Sequence, residues 1–239
     1  SGIKEAGVVF ESVAEGGITR FLLLYQESKP AMVGPVRSVR PQFASWVAAF
    51  DAGLAHVGGS DIPLKKLRSG QIKDLDQFFN ESTYARASNR AAPHNVYTTD
   101  AKLQALNKSK GYNSSTYTAW KRKLKESPSQ TPTAKTINIP VSTGLFNVSY
   151  AWDQASNTYT RSEGGALHLD REQGQIAPKV VIAMQVQHDV IRDSNKYSYP
   201  DVNTSGKAWL FQDGIVSEIT WSKASDKEQI QFKDTVGKP

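Results

Sequence analysis

Apolar and polar positions change period several times along the chain, and each change predicts an element. Gly7 to Val13 and Ile18 to Gln26 are rich in β-branched and aromatic residues. Ala14-Glu15-Gly16-Gly17 separates them, so they predict two strands joined by a glycine turn. From Pro41 to Phe50 the spacing becomes helical, with Phe43, Trp46, Val47 and Phe50 on one face and Pro41 at a first-turn position. That face is candidate core. Leu54 to Val57 is a short apolar strand; Asp61 to Leu67 and Thr99 to Asn107 read as helices, the second opening on a Thr-Thr-Asp cap signal. If Phe21 to Tyr25 and Leu54 to Val57 are parallel strands joined by the helix at 41–50, the turns after them leave the carboxyl ends of neighbouring strands. Open α/β sheets gather their ligand contacts there.

Beyond Ser127 the pattern changes. Ser127 to Thr133 reads Ser-Pro-Ser-Gln-Thr-Pro-Thr, too polar and proline-rich for a packed element, and marks a linker or a long loop. The rest is β in pattern: Leu145 to Trp152 and Asn157 to Ser162 flank one turn, and Lys207 to Gln212 and Ile215 to Trp221 flank Asp213-Gly214, a two-residue hairpin signal. Val180 to Val190 reads as a buried central strand. The expected fold class is α+β, with an N-terminal α/β domain carrying a mixed sheet (1–126), a Pro/Ser/Thr-rich linker (127–136) and a β-rich C-terminal domain (137–239).

Composition narrows the chemistry. With 239 residues and 38% hydrophobic content the chain can bury a sizeable core. A formal charge of +6 and a pI near 9.3 favour acidic partners. There is no cysteine, so disulfides and thiolate metal sites are excluded. No apolar run approaches the roughly 18 residues needed to span a bilayer as a helix. The run Lys121-Arg122-Lys123-Leu124-Lys125 after Trp120 could touch nucleic acid or a membrane surface, but a solvated helix end accounts for it more simply. Nucleic acid is therefore not the expected partner. The chain starts at Ser1 without an initiator Met or a signal-like segment, so its leader is expected to lie outside it.

The candidate chemistry lies in three short stretches. Val33-Gly34-Pro35-Val36-Arg37-Ser38-Val39-Arg40-Pro41 sets Arg37 and Arg40 before a helix N-terminus, where guanidinium forks and free amides suit a phosphate or carboxylate. The bland alternative pairs both arginines with Glu11 or Glu15. His56-Val57-Gly58-Gly59-Ser60 offers an imidazole and a glycine turn that could present amides to an anion, though it lacks the ending of a nucleotide P-loop. Arg90-Ala91-Ala92-Pro93-His94-Asn95 brings a cation, a histidine and an amide together in a stiff loop. The expected ligand-binding set is thus Arg37, Arg40, His56, Ser60, Arg90, His94 and Asn95. An enzymatic alternative makes Ser60 a nucleophile with His56 or His94 as base and the arginines as charge stabilisers, for phosphoryl or acyl transfer. His168-Leu169-Asp170 is half of a metal site at most, and His188-Asp189 would have to fold beside it. No metal and no cofactor are expected.

Several separated motifs carry a family resemblance: Val8-Val9-Phe10-Glu11 with Glu15-Gly16-Gly17-Ile18-Thr19-Arg20-Phe21, the three stretches above, Tyr159-Thr160-Arg161, Gly165-Ala166-Leu167-His168-Leu169-Asp170 and Ser205-Gly206-Lys207-Ala208. In these the chain resembles the YerB-like family of bacterial lipoproteins, a two-part domain of unknown function, along most of its length. The resemblance implies an extracytoplasmic protein tethered by a lipidated cysteine. With no cysteine here, the anchor, together with a first strand, is expected to precede Ser1. The function expected from residues and resemblance together is binding of an anionic envelope ligand, or of an envelope protein, in the N-terminal crevice.

Overall fold

The glycine turn of the first 26 residues closes an antiparallel hairpin of β1 (Val8–Val13) and β2 (Thr19–Leu24), and Gly16 and Gly17 in its turn both take positive φ. The protein is described from a computed structural model over residues 1–238. Strand alternation puts Phe10 opposite Leu22 on the buried face, and Ser12 opposite Arg20 on the same face nearer the turn. Helix α1 (Pro41–Ala48) starts on Pro41, whose missing N–H costs nothing in a first turn. It buries Phe43, Trp46 and Val47, and Trp46 stacks on Phe10 at 4.8 Å between ring centroids.

The next unit is β3 (Leu54–His56), α2 (Asp61–Arg68) and β4 (Asp74–Asp76), with β3 and β4 parallel. This corrects one expectation: Phe21 to Tyr25 is not the parallel neighbour of Leu54 to Val57, since β2 pairs with β1 and β3 with β4 in separate two-stranded sheets. The strip carrying Arg37 lies beside the turn that follows β3 instead. Val57 N–H donates to Arg37 O (3.2 Å), Val39 N–H to Gly58 O (3.0 Å) and Ser60 N–H to Val39 O (3.3 Å). The two glycine-bearing motifs are thus laid edge to edge by backbone hydrogen bonds.

On the other side of that strip runs a second hairpin, β5 (Ala85–Arg86) with β6 (Val96–Tyr97), joined to it by Val36 N–H to Val96 O (2.7 Å) and by the Val33 and Thr98 bridge. Gly34, at φ 149°, makes this approach possible, since a Cβ there would lie 2.7 Å from Tyr97 Cδ1. Helix α3 (Asp100–Ser109) follows, capped by Thr99, whose hydroxyl accepts from Lys102 N–H (3.2 Å).

The second half is antiparallel. Its strands are β7 (Thr136–Ile139), β8 (Val148–Asp153), β9 (Thr158–Glu163), β10 (Ala166–Leu167), β11 (Leu169–Asp170), β12 (Gly174–Gln175), β13 (Val180–Met184), β14 (Ile191–Arg192), β15 (Ser198–Tyr199), β16 (Ser205–Gln212), β17 (Ile215–Ser222) and β18 (Gln231–Lys233). One four-stranded sheet runs β10-β9-β8-β7, the other β13-β16-β17-β18, and β11-β12 and β14-β15 form separate two-stranded pairs. Asp213 and Gly214 take positive φ in the turn between β16 and β17, as the hairpin signal requires. The segment expected to be a central strand at 180–190 ends at Met184 and forms the edge of its sheet. The fold is α+β, mostly β with three α-helices among the described residues.

One hydrophobic cluster draws on both halves: Phe10, Leu22, Phe43, Trp46, Val47 and Leu54 from the first pack with Val202, Ala208, Ile219, Trp221 and Ile230 from the second. Trp120 belongs to it as well. Its ring meets Phe50 edge-on at 5.6 Å and its Nε1 donates to Ile230 O (3.0 Å). The Ser/Pro stretch has no regular structure yet is held along the β16–β17 turn, Ser129 N–H donating to Asp213 O (2.9 Å) and Thr133 N–H to Gly214 O (3.0 Å). No helix among the described residues is long and apolar enough to cross a membrane.

Because Trp221 is buried in this joint cluster and its Nε1 donates to Gln185 O (3.1 Å), Trp221→Ala is expected to cost about 3–5 kcal/mol. Urea unfolding of that variant should lower the midpoint in one transition common to both halves; selective melting of the C-terminal sheet would contradict a joint core.

Candidate functional site

The site is built around the Arg37 strip. Glu15, in the β1–β2 turn, accepts from Arg20 Nη2 (3.0 Å), from Arg40 Nε and from the Tyr199 hydroxyl (2.8 Å). The Tyr199 hydroxyl also lies 3.0 Å from Asp193 Oδ2. Burial would raise the Glu15 pKa, but the hydrogen bonds from Arg40 and Tyr199 outweigh it and hold the carboxyl down to about 2. Arg20 also donates to Ser38 O (2.9 Å) and Arg40 to Val39 O (2.8 Å), so both guanidiniums clamp the strip to the hairpin. Burial, then the neighbouring Arg40 charge, lower Arg20 to about 10 against the pull of Glu15.

Arg37 differs from these two. Among the described residues no carboxylate pairs with it; Nη1 instead meets His94, 2.7 Å from Nδ1 and 3.3 Å from Nε2. Glu11, the other suggested partner, is taken by Arg161 at 2.7 Å. Burial and then Arg40 lower the Arg37 pKa. His94 is exposed at the tip of the loop before β6, and its pKa is lowered first by desolvation and then by the charges of Arg37, Arg90 and Arg20. Arg90 Nη1 donates to the Tyr97 hydroxyl (3.0 Å) and has no carboxylate either. Asn95 fixes the loop from within, accepting from Arg86 Nη1 (3.0 Å) and donating to Ala87 O (3.5 Å). Arg37 therefore meets His94, whose ring also feels the charges of Arg90 and Arg20, and among the described residues the carboxylate that pairs with these guanidiniums, Glu15, is taken by Arg20 and Arg40.

His56 and Ser60 do not join this group. His56 is buried, with Nδ1 2.8 Å from Gly58 O and Nε2 3.1 Å from Asp74 Oδ1, and Arg68 ties Asp74 to Asp76. Asp76 in turn accepts from Gly58 N–H (2.9 Å) and Phe78 N–H (3.2 Å). Amides that could have cradled an anion are thus committed: Gly58 to Asp76, and Ser60 to Val39 O. The Ser60 hydroxyl is buried without a hydrogen-bond partner, and no bond joins it to His56 or His94 among the described residues.

His168 Nδ1 faces Arg161 Nη1 and lies 3.4 Å from Glu163 Oε2, while Asp170 accepts from the amides of Lys4 (3.2 Å), Glu172 (3.1 Å) and Gln173 (3.3 Å). His188 pairs with Asp189 at 2.8 Å on the surface. Among the described residues no group of three or more histidine or carboxylate side chains could hold a metal ion. Lys123 pairs with Asp213.

Arg20 and Tyr199 escaped the reading of the sequence. Arg20 is a cation in an otherwise apolar strand, a signal visible in Thr19-Arg20-Phe21-Leu22; Tyr199 comes from the second half and carried no local signal.

Two family models match the chain: "Protein of unknown function (DUF3048) N-terminal domain" over residues 1–113 and "Protein of unknown function (DUF3048) C-terminal domain" over 136–239. A protein of Bacillus subtilis (strain 168) named "Putative lipoprotein YerB" is 33% identical over 233 residues, which are 95% of this chain and 70% of that protein. A crystal structure of YerB protein from Bacillus subtilis is similar with a TM-score of 0.85 and 31% identity, over 98% of this chain and 79% of that one.

The folded Glu15 pKa of about 2 lies below its ordinary 4.5, so its contribution to stability is complete above pH 4.5 and is lost as pH falls toward 2. Thermal melting followed across that window should show a shallower acid limb in Glu15→Gln than in the parent. An unchanged limb would mean that the clamp does not hold the fold.

Proposed function

The chain belongs to the DUF3048 family of proteins of unknown function, and we propose that its role is to bind an anionic, phosphate- or carboxylate-bearing ligand of the bacterial envelope through Arg37, Arg90 and His94. The observation carrying this reading is that Arg37 and Arg90 have no carboxylate partner among the described residues, while Arg20 and Arg40 share Glu15. Gathering like charges is unfavourable, and an arriving anion relieves that repulsion while satisfying guanidinium donors in pairs. Asn95 and the Arg20 and Arg40 clamps hold the walls rather than the ligand. The protein is extracytoplasmic and membrane-tethered by a lipid anchor in this reading, which the name of the Bacillus subtilis relative supports.

Inorganic phosphate is the simplest probe. At about a hundredfold excess over its Kd, a ligand that binds only the folded state adds about 2.7 kcal/mol, read as a rise in Tm. Arg37→Gln and Arg90→Gln are each expected to lose most of that rise while changing stability without ligand by less than about 0.5 kcal/mol, since neither removes an ion pair. An equal rise in both variants would place binding elsewhere.

A further inference from the structure

The geometry points to a dianionic oxyanion, a phosphoryl group in its terminal monoester form, as the ligand class that Arg37, Arg90 and His94 take, with His94 gaining a proton from solvent as the anion binds; this rests on the anion-binding reading above. Charge comes first. Among the guanidiniums of the cluster, Arg20 and Arg40 are served by Glu15, while Arg37 and Arg90 are left with a ring nitrogen and a phenol. Glu15 offsets one of the four guanidinium charges, so three stand unbalanced, and one terminal phosphoryl group carries about two negative charges at neutral pH. A carboxylate or a phosphodiester carries one and offsets half as much of that charge.

His94 supplies the second argument. A guanidinium nitrogen can only donate, so the His94 nitrogen 2.7 Å from Arg37 Nη1 has to accept, which makes the imidazole neutral when no anion is present. The charged groups that press on it are all positive: Arg37 from the strip, Arg90 from its own loop and Arg20 from β2. The carboxylate of the cluster, Glu15, is turned to Arg20 and Arg40. An oxyanion between Arg37 and His94 takes over the guanidinium donors, frees the ring nitrogen and faces it with negative charge. The imidazole then takes up one proton and donates to the anion as a third hydrogen-bonding arm. A dianion repays that protonation better than a monoanion does.

Sulfate tests both parts, because it stays doubly charged across the relevant range and any proton taken up enters the protein. Calorimetric titration of the full chain, in buffers of differing ionisation enthalpy, should show proton uptake and an affinity at least about fivefold higher at about pH 5.5 than at about pH 7.5. Dimethyl phosphate and acetate should bind at least about tenfold more weakly than sulfate at about pH 5.5. His94→Gln, on an exposed loop, should still bind sulfate but without the pH dependence. Dimethyl phosphate binding as tightly as sulfate would overturn the dianion assignment and leave anion binding standing. Sulfate binding with the same pH dependence in His94→Gln would overturn the role of His94. Sulfate affinity unchanged in Arg37→Gln and Arg90→Gln would remove the anion site itself.

Discussion

The interaction on which the arrangement depends is the three-way hydrogen bonding of Glu15. One carboxylate in a hairpin turn receives Arg20 from the returning strand, Arg40 from the entry to α1 and Tyr199 from the second half of the chain. Taking a carboxylate out of water is costly unless its oxygens are satisfied, and here three donors satisfy them. The result is geometric as much as energetic. The strip from Val36 to Arg40 is fixed at one end by this clamp and along its length by the turn after β3 and by β6, so Arg37 is carried on backbone with little freedom to move. Because Arg20 and Arg40 absorb the available negative charge, Arg37 is left without any.

A second constraint is the core. The hairpin, α1 and the β16–β17 sheet close on each other through Phe10, Trp46, Trp120 and Trp221, and Arg161, buried in β9, reaches across to Glu11 in β1. The ring of Phe21 lies 5.4 Å from the Arg161 guanidinium carbon, adding a cation–π contact to that ion pair. A sheet with one apolar face needs a cover. In this chain the cover for the second half comes from the first, which explains why two family segments with a Pro/Ser stretch between them make up one packed body.

Much of this was legible in local pattern. The β1–β2 and β16–β17 hairpins announce themselves in their glycine turns, α1 in the spacing of Phe43, Trp46 and Val47, and α3 in its Thr99 cap, because each is decided by residues close in sequence. Pairing between distant segments was not. Nothing local says that β3 pairs with β4 rather than β2, or that Val180 to Met184 lies at an edge. The site divided the same way. Arg37, Arg90 and His94 were visible as cations and a histidine before or within turns. His56 looked equally suitable, yet Asp74, one strand away, faces its outer nitrogen, a contact that only the parallel register creates. Arg20, 5 residues from Glu15, showed as a cation in an apolar strand without its partner being evident, whereas Tyr199 was hidden because it reaches Glu15 from 184 residues away.

Gly34 gives the cationic group its dimensions. The backbone of this residue presses against Val96 O and the Tyr97 ring, where a single methyl group would lie 2.8 Å and 2.7 Å from them. The gap between the strip that bears Arg37 and the hairpin that bears Arg90 and His94 is therefore gauged by a missing carbon, as a shim left out sets the clearance of a bearing. Substituting any larger residue there would spread the two walls without touching a single charge. The spacing of charges on this face is, in that sense, encoded in a residue that carries none.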